Sequence, residues 1–212
     1  MLELISIHIP KTGGRSFREI LFQVYEKRKV KKLNRSELKT PKDVVTMDLL
    51  DSATVLHGHL CYEQVRQLHL GEKTKLVTWL RDPIERVFSN YCYRLRRTLQ
   101  KKIPLFGSKM TLENFVRRSA QRNQMSFFLK GLSLSDLFFV GLTEYFATDV
   151  QDLGRSLKWQ EFDLVKVNEN RNFKRKIPPL SPNQRSLIKE LNEKDLVLYQ
   201  EAINMRKERL KI

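Results

Sequence analysis

The sequence predicts a single α/β domain with a central, mostly parallel sheet of four or five strands flanked by helices. Two observations predict it. Short apolar runs of strand character alternate with stretches of helical period from one end of the chain to the other. No internal repeat, low-complexity tract or long linker divides the 212 residues, a length that one hydrophobic core can serve. The expected domain therefore runs over 1–212.

The first strand is expected over Glu3 to Ile9. A helix follows, because Phe17, Ile20, Leu21, Val24 and Tyr25 recur at i, i+3, i+4, i+7 and i+8. The basic stretch Lys27 to Lys42 is read as a solvated helix end and loop. Thr54 to Gly58 is a second strand, leading to a short helix near Tyr62 to Leu68, and Lys75 to Leu80 is a third strand. Asp82-Pro83-Ile84-Glu85 then combines a capping Asp, a Pro at the first helical position and a Glu at the third. Ile84, Val87, Phe88, Tyr91 and Leu95 form that helix's buried stripe. Further along, Thr111 to Arg122 reads as helix and Leu137 to Leu142 as strand. A helix with Phe146, Val150, Leu153 and Leu157 inward comes next, and Asp163 to Asn168 is the last strand. Asn170 to Pro179 is a loop. Ser181-Pro182-Asn183-Gln184 repeats the capping pattern and opens a final amphipathic helix to about Arg206.

Forty Lys+Arg against 24 Asp+Glu leave a formal charge of +16, which points to a polyanionic partner: nucleotide phosphates, nucleic acid, an acidic glycan or an anionic membrane. Cys61 and Cys92 are too few for a disulfide framework or a paired-cysteine zinc site. No stretch is apolar enough to span a bilayer, which takes roughly 18 residues. Leu2 to Ile5 run directly into a strand-like segment without signal-peptide character. As it stands, the chain is expected to be cytoplasmic; removal of an N-terminal anchor would make the Golgi lumen the expected place.

The sharpest local feature is His8-Ile9-Pro10-Lys11-Thr12-Gly13-Gly14-Arg15-Ser16-Phe17, between the first strand and the first helix. A glycine-rich turn there aims main-chain N–H groups at one point, at the positive end of a helix dipole, and Lys11 adds a mobile charge. It is not a Walker A loop, because the lysine precedes the glycines. An ordinary turn with a solvated lysine is the competing reading. The second feature is Arg81-Asp82-Pro83-Ile84-Glu85-Arg86-Val87-Phe88-Ser89-Asn90-Tyr91. Arg81 leaves the C-terminal end of a strand, where open α/β sheets hold ligands, and a guanidinium suits phosphate. Ser89 lies two turns into the next helix and can flank the same anion. Arg86 reads as a helix-surface or ion-pairing residue.

The third feature is His57-Gly58-His59 at a strand end. On chemistry alone this is a structural or weakly metal-binding pair, and nothing nearby completes a metal site. The fourth is Asn170-Arg171-Asn172-Phe173-Lys174-Arg175-Lys176, a basic loop that solvation alone would explain. His8 and His69 are read as structural.

The first two segments resemble the superfamily of sulfotransferases that use 3′-phosphoadenosine 5′-phosphosulfate (PAPS), and within it the heparan-sulfate 2-O-sulfotransferase-like branch of carbohydrate sulfotransferases. Val140-Gly141-Leu142-Thr143-Glu144 and Leu180-Ser181-Pro182 with Asp195, Leu198 and Tyr199 extend the likeness over most of the chain, whereas 97–110 matches nothing familiar. The resemblance implies the P-loop-kinase-like sulfotransferase fold. It implies that Lys11, Thr12, Gly13, Gly14, Arg15 and Ser16 hold the 5′-phosphosulfate, and that Arg81 and Ser89 hold the 3′-phosphate. Arg15 departs from the family, which often has Thr or Ser there. His57-Gly58-His59 matches a motif that supplies a general base, implying His59 as base, His57 as helper and Glu63 as fallback. Lys174, Arg175 and Lys176 become candidates to close over PAP, the adenosine 3′,5′-bisphosphate product.

The expected reaction is in-line sulfuryl transfer from PAPS to an acceptor hydroxyl, with Lys11 offsetting charge on the departing phosphate and no metal required. The acceptor is expected to be a carbohydrate, and the positive charge suits an acidic one. A nucleic-acid-binding module is the alternative, although no helix-turn-helix, KH, ribonucleoprotein or zinc-finger signature appears. A nucleotide kinase is a third reading, weakened by the missing Walker A lysine.

Overall fold

Five parallel strands form the centre of the molecule: β1 Leu4–Ile7, β2 Val30–Leu33, β3 Val55–Gly58, β4 Lys75–Leu80 and β5 Phe139–Leu142, in the order β2-β3-β1-β4-β5. The computed structural model describes residues 1–33, 37, 43–69, 73–100, 110–164 and 177–211, without the side chain of residue 69. Around the sheet lie α1 Gly14–Val24, α2 Tyr62–His69, α3 Pro83–Leu99, α4 Leu112–Val116, α5 Gln124–Phe128, α6 Phe146–Ser156, α7 Pro182–Glu190 and α8 Glu193–Leu210. The α/β class and mostly parallel sheet expected from the sequence are what is found.

Strands β1, β3 and β5, and β4 from Leu76 on, are buried on both faces, as a covered parallel sheet requires. Leu4, Val55, Val77 and Phe139 pack with Phe17, Ile20 and Leu21 of α1 and with Val150 and Leu153 of α6. Ile5, Ile7, Leu56, Leu76 and Leu80 join Val65 of α2, Met125 and Phe128 of α5 and Ala202 of α8 on the other face. A third cluster, with Ile84, Val87 and Phe88 of α3, Phe115 of α4 and Ile188 of α7, extends the fold beside β4. Asp82 caps α3 as read, its carboxylate accepting the Glu85 N–H at 2.9 Å.

Five elements differ from the sequence expectation. Within the basic stretch, Val30 and Leu33 are buried and bracket exposed or half-buried lysines, so an edge strand forms where a loop was expected. Lysines on its flank suit an edge that must not pair further. The helix expected over Thr111 to Arg122 ends at Val116 and gives way to a 3₁₀ turn at Ser119–Gln121, because Arg118 has extended backbone. The unforeseen α5 follows. The final helix is two helices. Asn192, fully buried, turns its amide onto Ile188 O (2.9 Å) and accepts the Asn123 N–H (2.9 Å), a local competition that interrupts the helical ladder. Asp163 and Leu164 are not in a strand, and the rest of the strand expected there lies outside the described residues.

The C-terminal helix is fixed to the sheet by buried charges. Asp149 Oδ1 receives Arg206 Nε at 2.7 Å, and Asp149 Oδ2 accepts the Leu142 N–H at 2.9 Å. Arg209 Nε reaches Asp152 at 2.7 Å, and the Arg206 guanidinium lies 3.9 Å over the Tyr145 ring. Removing one member of such a pair strands the other in a dry interior. Asp149→Ala should therefore lower unfolding free energy by roughly 3–5 kcal/mol in urea titration, without changing the donor loop. A loss below about 1 kcal/mol would mean the arginines find water instead.

Candidate active site

The order β2-β3-β1-β4-β5 creates one place where connections diverge. The chain leaves β1 toward β2 at one edge and leaves β4 toward β5 at the other. Ligands of open parallel sheets bind in the crevice outside such a switch point. Here the crevice is bordered by Lys11–Gly14 after β1 and by Arg81 after β4.

The first loop is held in an uncommon shape. Gly13 precedes α1 at φ 86°, a left-handed backbone that a side chain would strain. Lys11 has φ 76°, which costs a non-glycine residue roughly 1–2 kcal/mol. Two contacts hold this shape: the fully buried Thr12 donates its hydroxyl to Ile9 O at 2.9 Å, and Arg81 Nη1 donates to Lys11 O at 3.2 Å. A Cβ at Gly14 would fall 2.0 Å from His8 Cδ2, so only glycine fits there. Helix α1 begins with no side-chain cap and no acidic residue in its first turn. No capping side chain or first-turn carboxylate therefore competes with an anion at this helix end.

Positive charges crowd around Lys11. Burial, and then Arg81, Arg15 and Arg96, lower the Lys11 pKa from 10.5 to about 8. Lys11 Nζ lies 4.4 Å over the Tyr93 ring of α3, and Arg96 flanks the same ring at 5.9 Å. Arg81 reaches Glu85 only at 3.8 Å, and its buried Nε has no hydrogen-bond partner among the described residues. An anion in the crevice would relieve both the repulsion and that orphaned donor, which is the fit a phosphosulfate requires. Arg15 is exposed, Ser16 half-buried in the first turn of α1, and Ser89 half-buried on the second turn of α3. Lys174, Arg175 and Lys176 lie outside the described residues.

Beside the loop stands a stack of imidazoles. His59 Nδ1 is 2.8 Å from His8 O. A carbonyl can only accept, so neutral His59 carries its proton on Nδ1 and its lone pair on Nε2, the form a general base needs. His57 Nδ1 is 3.0 Å from Ser6 Oγ, and burial, aided by His59, lowers its pKa to about 3. His57 is therefore a neutral, buried neighbour at working pH. Glu63 is exposed at the start of α2. Among the described residues no group of three or more His, Cys, Asp or Glu is arranged for a metal ion.

Three residues of this region were not assigned to the site by the sequence reading. His8 stacks on His59 at 4.2 Å with planes 24° apart. Tyr93 and Arg96 face Lys11 from the third and fourth turns of α3. The signal for His8 is positional: Ile7 pairs with Gly58 in parallel register, so the residues that follow each must lie side by side. Arg86, read as a surface or pairing residue, is 1% exposed and 3.9 Å from Asp195. Asp195 in turn accepts the Ser126 N–H at 2.8 Å, tying α3 to α5 and α8.

A parallel α/β sheet with a cationic, glycine-rich loop at its switch point is an arrangement that open α/β enzymes use for phosphorylated ligands. The chain belongs to the sulfotransferase family: residues 2–150 match the Sulfotransferase family, and with it the PAPS-dependent sulfotransferase superfamily. It is accordingly an enzyme of sulfuryl transfer. Two solved structures share its fold. A sulfotransferase from Alicyclobacillus acidocaldarius is 14% identical, with a TM-score of 0.58 over 95% of this chain and 96% of that one. Mouse sulfotransferase SULT7A1, complexed with PAP, is 12% identical, with a TM-score of 0.58 over 100% of this chain and 89% of the mouse chain. No match was found among curated protein sequences. No helix among the described residues is long and apolar enough to cross a membrane.

The lowered Lys11 pKa makes the crevice a stability cost in the free protein. Between pH of about 8 and 10.5 the unfolded chain binds more protons at Lys11 than the folded one, so folding stability rises with pH across that window. Lys11→Met should remove this rise and be more stable than the parent at pH 7 without ligand. Parallel urea titrations of both proteins from pH 7 to 10.5 measure it. Identical pH profiles would mean the Lys11 charge is not buried.

Proposed function

We propose that the chain transfers a sulfuryl group from PAPS to a hydroxyl of a carbohydrate acceptor, in the manner of the heparan-sulfate 2-O-sulfotransferase-like branch, with His59 as general base. We take residues 1–212 as one sulfotransferase domain, since Ala202 of α8 packs into the same cluster as Ile5 and Leu76 of the sheet. The observation that carries the reading is the pairing of an anion-ready loop with a histidine whose Nδ1 faces a carbonyl at 2.8 Å. Bound PAPS would supply the electrophilic sulfur.

In this reading Lys11, the N–H groups from Thr12 to Ser16 and the side chains of Arg15 and Ser16 receive the 5′-phosphosulfate. Arg81, with its unpaired Nε, and Ser89 receive the 3′-phosphate. Lys174, Arg175 and Lys176 close over PAP. His59 Nε2 takes the acceptor's hydroxyl proton as oxygen attacks sulfur, and Lys11 meets the charge gathering on the leaving phosphate. His57, neutral behind the base, helps to hold it, and exposed Glu63 is the reserve candidate. An acidic sugar suits the net charge of +16.

PAP should raise the melting temperature, whereas ATP with magnesium or duplex DNA should not. Stabilisation by DNA alone would favour the nucleic-acid-binding alternative. Arg81→Ala should weaken PAP binding by roughly 1.5–3 kcal/mol in calorimetric titration, with Ser89→Ala costing less; unchanged affinity would overturn the 3′-phosphate assignment. Lys11→Ala should lower turnover more than PAP affinity, and equal losses would make it a binding residue only.

His59→Ala should keep the fold and PAP binding and lose on the order of 10²–10⁴-fold in sulfate transfer to a panel of glycans. Near-parental turnover in a stable His59→Ala protein would move the base to His57 or Glu63. Transfer to non-carbohydrate hydroxyls alone would refute the acceptor class.

A further inference from the structure

His8 has no part in the reading above, yet its geometry joins the two halves of the site. Its N–H donates to Gly58 O at 2.7 Å, which locks the residue to the end of β3. Its carbonyl accepts from His59 Nδ1 at 2.8 Å. Its ring lies nearly parallel to His59, centroids 4.2 Å apart, and to His57, centroids 5.0 Å apart. The same ring sits directly against the backbone of Gly14, where a Cβ would overlap it at 2.0 Å. One residue thus touches both the donor loop and the histidine beside it.

We propose that His8 is a positioning residue for His59, its neutral ring holding the imidazole plane so that Nδ1 stays on the His8 carbonyl and the tautomer stays fixed. The inference rests on the reading of His59 as the base. The stacked face opposes rotation of the His59 ring away from that carbonyl, a rotation that the carbonyl contact by itself does not prevent. Stacking also suits the chemistry, because a neutral aromatic face opposite His59 accepts the positive charge that proton transfer creates. A charged ring 4.2 Å away would oppose it.

Burial first of all keeps His8 neutral, and Arg18 and Arg15 of α1 act in the same sense, as would any proton taken up by His57 or His59. Burial is the largest cause, and the His8 pKa lies well below 6.5. Lys32 of β2 acts on His57 in the same sense.

The test compares His8→Ala with His8→Phe, which keeps a flat ring. In His8→Ala the melting temperature and PAP affinity should stay near the parent, within about twofold for affinity, while kcat falls about 10- to 100-fold, the scale of a misplaced catalytic group. Nitrogen NMR of the His59 ring should change from one Nδ1–H tautomer to a mixture. His8→Phe should recover most of the turnover and the single tautomer. Should His8→Ala fail to fold, His8→Leu, which fills space without a flat face, takes its place. Parental kcat in His8→Ala would overturn the proposal. So would equal losses in the Ala and Phe variants with the single tautomer retained. If His59→Ala itself retains turnover, the base reading fails instead, and the tautomer measurement still decides whether His8 holds that ring.

Discussion

The candidate site depends on the parallel register of β1 with its two neighbours. Ile7 is level with Gly58 on one side and with Thr78 on the other. The segments leaving those strands therefore emerge together at one end of the sheet, bringing the cationic loop, the histidines and Arg81 within reach of each other. Register in a buried parallel sheet is fixed by the apolar sets on both faces. A slip of one residue would send Ser6 and His57 to the opposite face and separate His8 from His59. Core packing and site geometry are thus one constraint.

The site is built at the expense of stability in two ways. Its loop holds Lys11 in a left-handed conformation, and burial together with nearby Arg81, Arg15 and Arg96 lowers the Lys11 pKa to about 8. The surrounding structure offsets these costs with interactions such as the Asp82 cap of α3 and the Asp149–Arg206 pair. A crevice that repels itself when empty gains most when an anion enters.

Much of this was legible in the sequence, and the rest was hidden for physical reasons. Strands β3 and β4 and the start of α3 follow from apolar runs and from a capping Asp beside a Pro. The loop and Arg81 could be singled out because glycine, lysine and arginine at strand ends have few other uses. Strand β2 was not visible, because its central residues are lysines and its strand character comes only from pairing with β3. The break at Asn192 was also hidden, since it depends on a partner 69 residues away. His8 could be placed only once the strand order was known, because its partner His59 is 51 residues distant. Sequence pattern reports local preference, whereas these features arise from contacts between remote segments.

The position of α8 bears on how the chain reaches its native state during synthesis. All five strands are made before residue 143, but the face of the sheet that includes Ile5, Leu56 and Leu76 is closed partly by Ala202, Leu198 and Ile203, which come last. A growing chain can assemble the α1 and α6 side early, while the opposite side stays open to water and to other apolar surfaces. That interval exposes an unfinished sheet to aggregation, and it ends only when Arg206 and Arg209 dock on Asp149 and Asp152.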